Sequence, residues 1–378
     1  MRDELVELTR SLVSIDSVNP DLVPGGAGEG AISEFVAGWL ERAGLQVERE
    51  EVRAGRWNVV ATARGSGGGR SLMLNAHTDT VGTGGMKSPF HPRLEEGRLY
   101  GRGAYDMKAS LAAIMLAGAA AARESLRGDV LVTAVADEEV GSVGTAAVAA
   151  SRTAHAAIVA EPTEERVAVA HRGFVWVEVE SHGRAAHGSR PDLGVDAIVK
   201  MGGVLTGLGD LDRMLRARPT HPLLGSGSVH ASLIEGGTEL STYPDRCLLG
   251  LERRTVPGET PPAVEREVRE IVQRAGAGEG SPAADVRVTF AREPFEVDAG
   301  ADVVAAVSRA AAAGDGGEPD RVGVPFWTDA AVLADAGIPT VLFGPAGEGA
   351  HADVEWVDVH SAARCAEVYL AVARELCA

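Results

Sequence analysis

Acidic residues and histidines follow several short apolar runs of this sequence, at the points where predicted strands end. The residues placed in this way are His77, Asp79, Glu138, Glu139 and Glu161. In an open α/β sheet, ligands bind at the carboxyl ends of the strands. We therefore expect these side chains to meet at one edge of a sheet, where they could hold a cation or move a proton.

Two further residues extend this set. Asp106 ends the Gly-rich segment 101–106, directly before an Ala-rich predicted helix, and His351 lies just beyond the apolar run 340–343. One carboxylate at a strand end is commonplace. Several acids and two histidines gathered at one edge, however, would repel and desolvate one another without a cation. A dinuclear metal site removes this conflict.

The residue types also indicate which metal the site would hold. Imidazole and carboxylate ligands without thiolates suit zinc in an open catalytic site, and they also suit cobalt or manganese. The cysteines, Cys247, Cys365 and Cys377, are scattered and lack zinc-finger spacing. The metals must therefore rely on nitrogen and oxygen ligands.

Individual roles follow from position and chemistry. Two metals a few ångströms apart need a bridging carboxylate, and Asp106 is the candidate. Asp79 lies two positions beyond His77, and we expect its carboxylate to accept the second imidazole N–H and fix the tautomer of the ring. Glu138 and Glu139 point in different directions, so one can bind metal while the other handles the proton of an attacking water.

The elements that must position these residues alternate between helical and strand patterns, which is typical of an α/β sheet with helices on both faces. Apolar runs predict strands at 58–61, 71–76, 129–136, 156–160 and 340–343, and a helix at 109–123. After Gly173 the pattern changes to alternating apolar and acidic residues, as in a strand with one solvated face. We therefore predict a catalytic domain in two parts, 1–173 and 297–378, interrupted by an inserted domain, 174–296.

The inserted domain has its own helix and strand patterns. They predict strands at 174–180, 228–234, 247–254 and 286–291, and helices at 195–208 and 263–275. Gly and Pro cluster at 275–282, which indicates a loop within this domain because a strand pattern follows it.

The candidate residues also belong to motifs that occur in one order along the chain. These motifs are His77-Thr78-Asp79-Thr80-Val81, Gly101-Arg102-Gly103-Ala104-Tyr105-Asp106-Met107-Lys108, Asp137-Glu138-Glu139-Val140-Gly141, Glu161-Pro162-Thr163, Gly183-Arg184-Ala185-Ala186-His187-Gly188-Ser189 and Gly349-Ala350-His351. In these motifs the chain resembles the M20-type metallopeptidases. That group includes acetylornithine deacetylase, succinyl-diaminopimelate desuccinylase, aminoacylase and carboxypeptidase G2.

The resemblance implies a ligand set and a general base. One metal would be held by His77, Asp106 and Glu161, and the other by Asp106, Glu139 and His351. Glu138 would take a proton from the attacking water and return it to the leaving amine. The implied fold is a mixed-sheet, zinc-peptidase-like α/β catalytic domain with a smaller α+β lid or dimerisation domain inserted in it.

The resemblance also assigns roles to the inserted domain. It implies a homodimer in which His187 reaches the oxyanion region of the partner's site, and it implies that Arg254 holds the substrate carboxylate. The chain departs from the family pattern at one point, because Ser241 stands where an asparagine is often found.

Composition restricts the partners and the location. Asp and Glu outnumber Lys and Arg by 54 to 36, giving a formal net charge of −18, so nucleic acid and anionic membranes would be repelled. The N-terminal residues lack the apolar core of a secretory signal, and the Ala-rich run 111–122 is too short to span a bilayer. We therefore expect a cytoplasmic protein.

Three functions remain open at this stage. The first is a dinuclear metal-dependent amide hydrolase that deacylates an N-acyl amino acid. The second is a dipeptidase or carboxypeptidase on the same scaffold. The third is a metal-bearing binding module without catalysis. The presence of Glu138 argues against this third function.

Two further segments are candidates for the site. His171 and Arg172 could form a hinge or contact substrate, and 327–329 could line the site.

Overall fold

The computed structural model describes residues 2–276, 284–313, 317 and 319–378. Its helices in these ranges are α1 (Arg2–Val13), α2 (Gly30–Arg42), α3 (Ala109–Ala121), α4 (Val143–Ser151), α5 (Ala197–Arg216), α6 (Pro261–Ala275), α7 (Asp302–Ala312), α8 (Ala330–Asp335) and α9 (Val359–Leu376). A π-helical turn, Ala104–Lys108, precedes α3. Of the predicted loop 275–282, residues 277–282 lie outside the described residues.

The strands fall into three sheets. They are β1 (Gln46–Arg53), β2 (Arg56–Ala63), β3 (Leu72–His77), β4 (Arg93–Glu95), β5 (Arg98–Tyr100), β6 (Val130–Val135), β7 (Ala156–Val159), β8 (Val167–His171), β9 (Gly173–His182), β10 (Ser228–Gly236), β11 (Arg246–Thr255), β12 (Ala284–Arg292), β13 (Phe295–Glu296), β14 (Arg321–Val324), β15 (Thr340–Leu342), β16 (Gly347–Glu348) and β17 (Trp356–Asp358).

The contacts between residues divide the chain into two compact units. The first comprises Met1–Val169, Val297–Val322 and Thr328–Ala378, and the second comprises Ala170–Glu296 and Gly323–Trp327. The segment 323–327 was predicted within the catalytic domain. It joins the second unit because Arg172 donates its backbone N–H to Val324 at 3.4 Å, and because Trp327 donates its ring N–H to the carbonyl of Glu293 at 3.0 Å.

The first unit is built around a mixed sheet. The strand order is β1-β2-β6-β3-β7-β15-β8. Parallel pairs join β3 to β6, β3 to β7 and β7 to β15, whereas β1, β2 and β8 are antiparallel to their neighbours. This arrangement confirms the predicted mixed α/β fold. A smaller sheet in the same unit has the order β16-β17-β5-β4.

Helix α3 lies inside the first unit, and 12 of its 13 residues are buried. It is apolar on all faces, as a central helix must be. A Cβ atom at Gly118 would lie only 2.4 Å from Cγ2 of Val132, so glycine allows the helix to approach β6 closely. The same core includes the apolar faces of α1, α2 and α9.

The second unit is a four-stranded antiparallel sheet with the order β10-β11-β9-β12. Strand β9 alternates buried and more exposed residues along its length. Its buried side chains share a core with the apolar faces of α5 and α6. The other face of this sheet is therefore partly open to solvent.

No helix in the described ranges combines the length and the apolar character that a membrane span requires.

Candidate metal centre

The central sheet brings the predicted site residues to one edge. Strand β3 ends at His77, Glu138 and Glu139 come shortly after β6, and Glu161 comes shortly after β7. Strands β6 and β7 are both parallel neighbours of β3. Their carboxyl ends therefore meet, which is the arrangement that the apolar runs predicted.

Asp106 lies between the two histidines. Its Oδ1 is 3.1 Å from Nε2 of His77, and its Oδ2 is 3.3 Å from Nε2 of His351. Nε2 of His351 is also 3.1 Å from Oε2 of Glu139. The backbone turns sharply at His351, whose φ is +62°. A carboxylate that directs one oxygen towards each of two imidazoles is suited to bridging two cations.

Two overlapping groups of side chains offer ligand atoms that all lie within 4.8 Å of one another. They are His77, Glu138 and Glu161 in one group, and His77, Asp106 and Glu139 in the other. Nε2 of His77 is 3.9 Å from Oε1 of Glu161. Both groups therefore have the nitrogen and oxygen ligands that zinc and similar divalent cations use.

The carboxylates of the site are crowded and buried. Burial raises the pKa of Glu138 well above its ordinary value, and the charge of Glu161 raises it further. Burial likewise raises the pKa of Glu161 well above its ordinary value and raises that of Glu139. Oε1 of Glu139 is buried and has no hydrogen-bond partner among the described residues. Bound cations would fit this donor set, because they would neutralise the acids and occupy the unpaired oxygen.

The pKa values of the two histidines are raised by the same excess of negative charge. Hydrogen bonds to Asp106 and Glu139 raise the pKa of His351 to about 10. Burial lowers the pKa of His77, but the Asp106 and Glu161 carboxylates outweigh burial and hold this pKa well above its ordinary value. The protein groups alone therefore favour protonated rings, whereas cations at this position would favour neutral imidazole ligands.

The position of Asp79 differs from the predicted one. Nδ1 of His77 lies 3.0 Å from the backbone carbonyl oxygen of Asp79, whereas the nearest carboxylate oxygen is 3.7 Å away. The carboxylate instead accepts the backbone N–H groups of Glu138 at 3.1 Å and Glu139 at 3.2 Å. The peptide group of Asp79 therefore orients the imidazole, and its side chain supports the turn that follows β6.

Glu355 is a site residue that the sequence did not reveal. Its carboxylate accepts the backbone N–H groups of Gly103 at 3.0 Å, Tyr105 at 2.9 Å and Asp106 at 3.1 Å. It also accepts a hydrogen bond from the buried guanidinium of Arg102 at 2.6 Å. Glu355 thus fixes the loop that presents Asp106. No motif marks it, because this contact joins parts of the chain far apart in sequence.

Asp329 is a second buried acid beside the site. Thr145 donates its hydroxyl to Oδ2 of Asp329 at 2.6 Å, and burial raises the pKa of Asp329 to about 6. Its charge contributes to the raised pKa of both Glu138 and Glu161. Of the predicted lining segment 327–329, Asp329 is therefore close to the candidate metal centre, whereas Trp327 belongs to the second unit.

The remaining predicted residues lie in the second unit. Nδ1 of the exposed His187 is 2.8 Å from the hydroxyl of Ser189, and the backbone N–H of Gly188 donates to the carbonyl of Ser241. Arg254 lies on β11, where its Nε donates to Glu252 at 2.7 Å. Its guanidinium carbon is 5.1 Å from the centre of the Phe174 ring.

Comparison with known proteins adds to this description. Residues 73–375 match the family described as peptidase family M20/M25/M40. The chain is 31% identical to an acetylornithine deacetylase of Myxococcus xanthus over 362 residues, covering 91% of each chain. It is 28% identical over 405 residues to an N-formyl-4-amino-5-aminomethyl-2-methylpyrimidine deformylase of Bacillus subtilis (strain 168), covering 98% of this chain and 93% of the relative.

A solved structure has the same fold. It is the YXEP protein of Bacillus subtilis, described as a dinuclear metal binding peptidase from the M20 family. The two structures superpose with a TM-score of 0.73 at 18% identity, over 100% of this chain and 98% of the other.

Proposed function

Because the chain belongs to the peptidase family M20/M25/M40, whose members are metal-dependent amide hydrolases, we propose that it deacylates an N-acyl amino acid with two divalent cations. The family resemblance inferred from the motifs is confirmed by this membership. The observation that carries the proposal is the position of the Asp106 carboxylate, with one oxygen towards His77 and the other towards His351.

The proposed ligands divide into two sets that share Asp106. His77 and Glu161 complete the first set, and Glu139 and His351 complete the second. Zinc is the leading candidate, with cobalt or manganese as alternatives, since these metals accept mixed imidazole and carboxylate ligands. When bound, such cations lower the pKa of water, polarise a carbonyl and stabilise the charge that develops on its oxygen.

Glu138 is the proposed general base. Its carboxylate lies among the ligand atoms of His77 and Glu161, and its backbone N–H is held by Asp79. One carboxylate oxygen of Glu138 would accept the proton of the attacking water. The same group would then return that proton to the nitrogen of the leaving amine, so that it acts first as base and then as acid.

The second unit supplies the proposed substrate contacts. Arg254 would bind the carboxylate of the substrate, because a guanidinium pairs well with carboxylates. His187 would stabilise the developing oxyanion in the partner of a homodimer. A dimer is supported by the edge strand β10, on which Leu233 is 76% exposed and Ile234 is 55% exposed. An exposed apolar strand edge favours pairing with a second chain.

The substrate is tested with a panel of acetyl-, formyl- and succinyl-amino acids, assayed with zinc or cobalt. We expect turnover of at least one acyl amino acid, and we expect acetylated substrates to be turned over best because of the likeness to the acetylornithine deacetylase. Dipeptides are included because a structural relative is a peptidase. Faster turnover of dipeptides would favour the alternative of a dipeptidase or carboxypeptidase. No turnover of any substrate would contradict both.

A further inference from the structure

The side-chain amide of Asn19 joins two carboxylates beside the metal centre. Its Nδ2 donates to Oδ2 of Asp79 at 2.8 Å and to Oδ1 of Asp137 at 3.0 Å. Its Oδ1 accepts the backbone N–H of Asp21 at 3.0 Å. The amide thus uses both of its hydrogens on two different acids. Among neutral side chains, only Asn and Gln have a group with two such hydrogens.

The backbone holds Asn19 at this position. Residue 18 forms a parallel bridge with Thr80. The N–H of Asn19 donates to the carbonyl of Thr80 at 2.9 Å, and the N–H of Thr80 donates to the carbonyl of Ser17 at 3.0 Å. The segment before α2 therefore runs alongside the segment that carries Asp79. This backbone pairing places the buried Asn19 side chain beside Asp79.

Arg56 continues the network away from the metal centre. Its guanidinium pairs with Asp21 at 2.6 Å, with Glu29 at 2.5 Å and with Asp137 at 3.0 Å. The side chains of Arg56 and Glu29 are 2% and 0% exposed, and that of Asp137 is 1% exposed. A cation buried to this degree must be paired, and replacing Arg56 by a neutral residue would leave the buried acids without their shared counter-charge.

The network ends on the backbone of two proposed catalytic groups. The Asp79 carboxylate accepts the N–H of Glu138 at 3.1 Å and the N–H of Glu139 at 3.2 Å. Asn19 donates to Oδ2 of the same carboxylate, the oxygen that also accepts the N–H of Glu139. A continuous set of buried contacts therefore runs from Glu29 through Arg56, Asp137, Asn19 and Asp79 to the turn that carries the general base and a metal ligand.

We propose that Asn19 and Arg56 are positioning residues that fix the Glu138–Glu139 turn through Asp79 and Asp137. This inference rests on the proposed function, because the turn matters only if Glu139 binds metal and Glu138 moves a proton. The Asn19 amide lies between the Asp79 and Asp137 carboxylates, which would otherwise repel each other. Arg56 neutralises the charge of Asp137. A shift of the turn would move the Glu139 ligand and the Glu138 base together.

The main test replaces Asn19 by Leu, which has a similar size and no hydrogen-bonding groups. The full-length protein is loaded with Co²⁺, and the visible absorption bands of the bound ion report the geometry of its ligands. We expect altered bands and a Co²⁺ affinity lowered by about 10- to 100-fold, as is usual when a group that supports a ligand is lost. On an acetylated amino acid, kcat should fall by a similar factor while KM changes by less than about two-fold.

Arg56→Lys is the second variant, and it carries the test if Asn19→Leu does not fold. A lysine keeps the charge, but its compact ammonium cannot reproduce the planar contacts of a guanidinium with three acids. We expect changes in the Co²⁺ bands and in kcat of the same kind as in Asn19→Leu, but smaller. The control is Arg253→Met, which removes an equally buried guanidinium that pairs with Glu259 and Glu267 in the second unit.

The control should lose stability and keep the wild-type Co²⁺ bands. The inference is overturned if the folded Asn19 or Arg56 variant behaves as the control does, with wild-type bands and affinity and only a lower melting temperature. The proposed function fails in a different way, because then the wild-type protein turns over none of the acyl amino acids or dipeptides. In that case the Co²⁺ bands still decide whether Asn19 and Arg56 position the ligands.

Discussion

The Glu355 carboxylate accepts the backbone N–H of Asp106 at 3.1 Å, and it holds this proposed bridging acid through the main chain. The same carboxylate is the partner of the buried Arg102 guanidinium. Glu355→Gln removes this charge and leaves Arg102 without its ion-pair partner. Removing one partner of a buried ion pair costs about 3–5 kcal/mol of stability. Urea unfolding of the metal-free protein should show that the free energy of unfolding falls by this amount.

The matched control for Glu355 is Glu348→Gln, because Glu348 is an exposed acid on the nearby strand β16. It should leave the free energy of unfolding within about 0.5 kcal/mol of wild type. Equal stability of the two variants would contradict the role given to Glu355.

Glu138→Gln tests the general base. Glutamine has nearly the same shape but cannot accept a proton from water, so we expect the rate of hydrolysis to fall by about 100- to 10,000-fold. Metal content, measured by elemental analysis, should stay close to that of wild type because the proposed ligands remain. Glu41→Gln, on the exposed side of α2, is the control and should leave both quantities unchanged. Wild-type activity of Glu138→Gln would exclude the assignment.

The strands that present the site could be predicted because they are buried on both faces. Strand β3 has six buried residues in succession, and this burial is visible in the sequence as an apolar run. Strand β1, Gln46–Arg53, was not predicted. It lies at the edge of the central sheet and is almost entirely exposed, so its sequence is polar and carries no apolar signal.

The site residues likewise include some that could be predicted from the sequence and some that could not. His77, Glu139 and Glu161 were predicted because each lies at or shortly after the end of a strand, and parallel neighbours bring strand ends together. Glu355 and Asn19 were missed because their partners are other carboxylates or backbone groups far away in the sequence. The position of such a partner depends on the folded chain. For the same reason, the choice between the carbonyl and the carboxylate of Asp79 could not be made from the spacing alone.

Removal of the metals should destabilise the first unit. The buried acids Glu138, Glu139 and Glu161 repel one another, and a cation that binds only the folded state adds stability by mass action. At a free concentration 1,000 times the Kd, one site contributes about 4 kcal/mol. Thermal melting after chelation should therefore give a lower Tm, which added zinc or cobalt restores.

Magnesium at the same concentration is the control for this melt. It prefers oxygen ligands in octahedral geometry, and it should restore little of the stability at a site that contains His77 and His351. A melting temperature that is unchanged by chelation and by zinc would contradict the metal centre.

Arg254→Met tests how the substrate carboxylate is held. A hydrogen bond to a charged group contributes about 1.5–3 kcal/mol, so kcat/KM should fall by about 10- to 150-fold. The matched substrate is the same acyl amino acid with its carboxylate converted to an amide. For this substrate, kcat/KM of the variant should stay close to that of wild type. The Arg254 side chain already pairs with Glu252, so its contact with substrate would compete with that ion pair. An equal loss on both substrates would mean that Arg254 acts on the fold and not on the carboxylate.

A pair of glycine substitutions tests how closely α3 packs against β6. In Gly118→Ala, the new Cβ would lie 2.4 Å from Cγ2 of Val132, so α3 or β6 must move. Such overpacking costs about 1–3 kcal/mol. In Gly202→Ala, on α5, the new Cβ meets no atom of the described residues within 4 Å, and the helix should gain up to about 1 kcal/mol because alanine is the better helix former. Urea unfolding should give opposite signs for the two variants, and a stabilised Gly118→Ala would show that the contact between α3 and β6 is looser than these distances indicate.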